Sequence, residues 1–187
     1  EDDLYDDPNN VGAVDTTFGT GDYYDGDQHL IFDNPFPAYL KSVEVIAGSA
    51  GDRVIELRDN TGTVLETVTV FIPEGESTVI LDLNLPIGTD LQLGTAVGDE
   101  PDLFRNDTGV PAFPYTLAES VEITGTSNGP DFYYFFYNWE VHPYNCASER
   151  VPVTAIVETE SDITIDPIDY ICIQDESIIL VASEEGG

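Results

Sequence analysis

The segment Gly21-Asp22-Tyr23-Tyr24-Asp25-Gly26-Asp27 is the chain's best candidate ion site. Three carboxylates, Asp22, Asp25 and Asp27, on a glycine-containing loop could converge on one Ca²⁺, a hard cation that takes oxygen ligands. The segment lacks the spacing and closing Glu of an EF-hand, so a solvated acidic turn is the competing expectation. A second cluster, Asp99, Glu100 and Asp102 ahead of Arg105, reads as a loop with a local ion pair. His29 and His142 are the only histidines, and neither stands in metal-ligand spacing with another His or Cys. The sequence contains no nucleophile elbow, phosphate loop or zinc motif. The paired carboxylates of a glycoside hydrolase would be indistinguishable among so many acids. The reading is therefore non-enzymatic.

Other side chains suggest binding or covalent chemistry. The run Phe132-Tyr133-Tyr134-Phe135-Phe136-Tyr137-Asn138-Trp139 is aromatic in seven of eight positions. Its rings either alternate between core and outer face, or leave Tyr133, Tyr134, Tyr137 or Trp139 exposed as a platform for sugars. Lys41, the sole lysine, could form an isopeptide with an Asn, and Asn106-Asp107-Thr108 matches the glycan-acceptor pattern. Cys146 and Cys172 could form one disulfide in an oxidising compartment.

The charge balance narrows the partners. Thirty-seven acidic residues face only Lys41, Arg53, Arg58, Arg105 and Arg150, for a net charge of −32. Such a chain repels nucleic acid and anionic membranes. It also has no apolar run of the ~20 residues needed to span a bilayer. With 41% hydrophobic and 11% aromatic residues it is not a solvated tail. The carboxylates are expected to confer solubility in a salty medium, where screening shortens their repulsion. Scarce lysine and the lack of methionine are compatible with export, and without a signal peptide at Glu1 the segment reads as part of a longer secreted chain. Its 187 residues suffice for one large or two small domains.

The elements that must position these residues are strands. Apolar runs are short, rich in Val, Ile, Thr, Phe and Tyr, and bounded by Gly, Pro, Asn or Asp. Strands are expected from Leu40 to Val45, over 54–58, and over 64–71 after a hairpin turn at Asp59-Asn60-Thr61-Gly62. Val79, Leu81, Leu83 and Leu85 alternate with polar positions in the next one. Further strands are expected over 90–97, 121–126 and 132–141, with a long polar loop over 98–114. No amphipathic helix emerges, and the regular spacing predicts an all-β, jelly-roll-like β-sandwich over 1–145.

Several segments carry a resemblance: Asn10-Val11-Gly12-Ala13, Phe18-Gly19-Thr20-Gly21, Leu30-Ile31-Phe32-Asp33, Ala47-Gly48-Ser49-Ala50-Gly51 and Phe135-Phe136-Tyr137-Asn138-Trp139. Together they resemble a β-sandwich module of very large secreted Bacteroidetes surface proteins. In that resemblance 146–157 is the closing strand of an Ig-like portion, 158–169 an acidic connector and 170–187 the opening strand of the next repeat. It implies a structural repeat of an extracellular filament or large adhesin. Neighbouring copies would be joined through a junction strand carrying Ile171, Ile173, Ile178, Ile179, Leu180 and Val181, which completes the next sheet. Cys146 and Cys172 would then pair between units, with a bond inside one chain as the alternative. A carbohydrate-binding module on a secreted hydrolase, with surface glycans as partner, is the second expectation.

Overall fold

The computed structural model describes residues 9–117 and 120–143. These belong to Glu1–Tyr144, the first of two units into which the chain divides. Cys146, Cys172, the closing strand, the acidic connector and the junction strand all lie outside the described residues.

Thirteen strands and no helix make up the described residues. In chain order they are β1 (Asn9–Val11), β2 (Thr20–Tyr24), β3 (His29–Asn34), β4 (Ala38–Ala47), β5 (Gly51–Arg58), β6 (Val64–Ile72) and β7 (Gly75–Leu85). There follow β8 (Gly88–Thr95), β9 (Leu103–Thr108), β10 (Tyr115–Thr116), β11 (Glu122–Thr126), β12 (Tyr133–Tyr134) and β13 (Tyr137–Pro143). They form two antiparallel sheets, which bears out the all-β, sandwich-like expectation. The first sheet follows β1-β13-β4-β9-β12, with β7 also on β4 and β2 also on β9. Within it β4 meets β9 through the single pair Ala47↔Leu103. The second sheet runs β10-β11-β3-β8-β5-β6. The first and last described strands are neighbours, with Asn9 opposite Val141 and Val11 opposite Trp139.

Local sequence explains much of this. In β7, Val79, Leu81, Leu83 and Leu85 are buried while Thr78, Ile80, Asp82 and Asn84 face solvent, the period-2 pattern read from the sequence. Asp59 Oδ1 accepts the Thr61 and Thr63 amides at 2.8 and 2.9 Å, and Gly62 takes φ +83°, closing the β5–β6 hairpin.

Two expectations need correction. The stretch 98–114 is not all loop, because it contains β9. Periodicity hides this strand, since its inward positions include the buried amide of Asn106 as well as Leu103. The aromatic run is not one strand either: Phe135 at φ +64° separates β12 from β13, and Asn138 at φ +44° accompanies a register shift against β4. An unbroken strand would send successive rings to opposite faces. These two turns of the backbone instead let adjacent rings enter the same core.

That core lies between the sheets. Leu30, Phe32, Leu40, Val43, Val45, Ile55, Leu57, Leu93 and Trp139 are all within 1% of complete burial. Phe32 meets Trp139 edge-on, with ring centroids 5.3 Å apart.

Candidate functional site

The four rings considered as a sugar platform are enclosed. Tyr133, Tyr134 and Trp139 have no exposed surface and Tyr137 has 1%, so none can stack on a sugar face. Their polar atoms are bonded inside the protein. The Tyr133 hydroxyl accepts the Ala13 amide at 3.1 Å and donates to the Phe136 carbonyl at 3.2 Å. Trp139 Nε1 donates to that same carbonyl at 2.8 Å, and Tyr137 donates to Asn106 Oδ1 at 2.9 Å. Burial pushes the Tyr133 and Tyr137 phenols up, so they stay protonated. The run whose alternative reading was a ligand surface is the hydrogen-bonded centre of the fold.

The structure does not bring Asp22, Asp25 and Asp27 together on one point. Asp22 Oδ1 accepts the amide of Tyr23 at 2.8 Å. Asp25 Oδ1 accepts the amide of Asp102 at 3.0 Å, and Asp27 Oδ1 lies 3.4 Å from Arg58 Nη1. Among the described residues no group of three His, Cys, Asp or Glu side chains is placed to hold a metal ion.

The described cations are committed to the fold. Arg58, 4% exposed, donates through Nε to Glu56 at 2.8 Å and through Nη2 to the Thr95 carbonyl at 2.5 Å. Arg53, 5% exposed, reaches two carbonyls, Pro101 at 2.9 Å and Ser49 at 2.7 Å. It thereby anchors the segment after β8, where Ser49 Oγ also donates to Asp102 at 2.7 Å and Val54 N to Asp99 at 3.1 Å. Arg105, expected to form an ion pair with this segment, instead lies against rings. Its guanidinium carbon is 4.0 Å from the centroid of Tyr24, 5.0 Å from Phe132 and 5.6 Å from Tyr134, and Nη1 donates to the Tyr134 hydroxyl at 3.1 Å. Cross-strand pairing sets this arrangement, with Asp22 and Tyr134 both opposite Arg105, so no linear motif announces it.

One shallow groove on the first sheet collects ionisable groups: Tyr39 and Lys41 from β4, Glu140 and His142 from β13. Glu140 accepts Ser42 Oγ at 2.7 Å and lies 3.0 Å from His142 Nε2. The Ser42 bond, with His142 and Lys41 nearby, holds its carboxyl below the usual range. Lys41 pairs with Asp82 at 2.8 Å on the exposed face rather than with an asparagine. Asn106 is fully buried and bonded to Thr16 and Thr20 carbonyls, so it is closed to glycan transfer. No helix among the described residues is long and apolar enough to cross a membrane. Comparison of the chain with protein-family models, with curated proteins and with solved structures finds no match.

Proposed function

We propose that this chain is a non-catalytic structural unit of an extracellular bacterial filament or large adhesin, joined to neighbouring copies by addition of the strand containing Ile178 to Val181. The observation that carries this reading is the division of labour in the sandwich. Lys41, Arg53, Arg58 and Arg105 are bound into the fold, the aromatic rings fill the core, and the carboxylates dominate the outside. Such a body is built to be soluble and persistent rather than to turn over a substrate. Two long strands, β6 and β7, each have a hydrogen-bonded neighbour on one side only among the described residues, which offers a partner strand somewhere to add. Export supplies the setting in which Cys146 and Cys172 would be oxidised.

Two copies fused in tandem test the proposal by calorimetry. The copy that receives its neighbour's strand should melt at a higher temperature than a single copy. Ile178→Asp with Leu180→Asp in the donor copy should remove that gain. A tandem that melts at the single-copy temperature counts against strand addition.

A further inference from the structure

The edge strands of the two sheets are unequal. β10 and β12 have two residues and β1 three, too few for a stable added ladder, and β2, with five, carries the exposed Asp22. β7 is long, but its outward row carries Glu76 and Asp82. Asp82 also has φ +53°, beside a register shift against β4. Charges and bulges of this kind discourage edge-to-edge pairing.

β6 is less guarded along most of its length. Its ladder with β5 runs in register from Gly51↔Ile72 to Leu57↔Glu66 and shifts once near the start of the strand, between Leu57 and Arg58, and it has neither Lys nor Pro. In a chain of net charge −32, its nine residues hold one charge, Glu66, and that carboxylate already accepts the Asn84 amide of β7 at 3.3 Å. Leu65 and Phe71 on its outward row are 48% and 66% exposed, while Val68 and Val70 on its inward row are only partly covered by the core.

The sequence of β6 is also nearly self-complementary about Val68. Set antiparallel to a second copy with Val68 on the two-fold axis, Thr67 faces the partner's Thr69 and Leu65 the partner's Phe71. Thr–Thr and aromatic–aliphatic pairs across strands are favourable, and a two-fold contact uses one patch twice.

We propose that β6 is a homodimer edge, which joins the six-stranded sheets of two copies into one continuous twelve-stranded sheet. This contact does not involve the junction strand and is independent of it. Apolar burial and ladder bonds hold the pair together, and like charge on the two bodies opposes it, so added salt strengthens it.

Sedimentation equilibrium of the full chain tests this. Twice the monomer mass is expected, with the dimer fraction rising between about 0.05 and about 1 M NaCl. Thr67→Lys with Thr69→Lys, both on the exposed row, should give a monomer that still unfolds cooperatively but whose melting temperature no longer rises with protein concentration, whereas Ile178→Asp with Leu180→Asp should leave the dimer intact. In a Cys146→Ser, Cys172→Ser background, a Thr67→Cys chain mixed with a Thr69→Cys chain should form a disulfide-linked heterodimer. A wild-type monomer at every salt concentration overturns the proposal. So does a dimer that survives the double lysine variant, one dissolved by salt, or one lost with the Ile178 and Leu180 substitutions.

Discussion

The Tyr137 hydroxyl donates to Asn106 Oδ1 at 2.9 Å in the interior and ties β13 to β9 within the first sheet. The amide nitrogen of Asn106 then donates to the carbonyls of Thr16 and Thr20 at 3.1 and 3.4 Å. One buried amide thus links a ring in the core to the segment that leads into β2. Tyr137→Phe should destabilise the protein by about 1–3 kcal/mol, because it strands a buried acceptor. Asn106→Ala should cost more, since it strands two carbonyls as well. Urea unfolding midpoints measure both.

Gly12 and Tyr133 are coupled by space. Gly12 has φ +95°, and a Cβ there would lie 2.5 Å from the Tyr133 hydroxyl oxygen. Gly12→Ala should therefore cost about 1–3 kcal/mol through backbone strain alone, and more through the collision. Tyr133→Phe removes the colliding oxygen, so the double variant should lose less than the sum of the single variants. Thermal unfolding of all four proteins completes the cycle.

His29 sets a pH dependence. Burial lowers its pKa most, Arg58 lowers it further, and Asp27 opposes them. The folded state therefore favours the neutral ring. This stabilisation is present above the ordinary histidine value of 6.5 and is lost as pH falls through the depressed folded value. The unfolding midpoint should decline between about pH 7 and about pH 5.5, and His29→Gln should flatten that part of the profile.

Arg105 should not tolerate its apparent equivalent. A lysine keeps the charge but not the planar group that lies over Tyr24, Phe132 and Tyr134. Arg105→Lys should lose about 1–2 kcal/mol, read by chemical denaturation. Near-ultraviolet circular dichroism should change as the rings around it reorder.

Much of the fold was legible where side chains alternate. β7 and the β5–β6 hairpin could be read from Val79 to Leu85 and from Asp59 to Gly62 because each obeys a local rule. β9 was missed because its buried positions include an asparagine whose partners lie up to 90 residues away. The aromatic run was read as straight because a positive φ at Phe135, a residue without glycine's freedom, has no local signature. The acids at Asp22, Asp25 and Asp27 were near one another in sequence, but each was drawn to a different partner by the strands around it. Proximity along the chain constrains a turn well and a ligand set poorly.

The antiparallel seam between β1 and β13 has a mechanical corollary. Asn9 and Val141 stand opposite each other, so the polypeptide enters and departs through the same end of the sandwich. Tension applied at those two points meets the rungs of the seam singly, like the teeth of a zipper, instead of shearing them all at once. In a string of such bodies, toughness would have to reside in the couplings between them, and β1 would serve as a compliant, reversibly peeling tether.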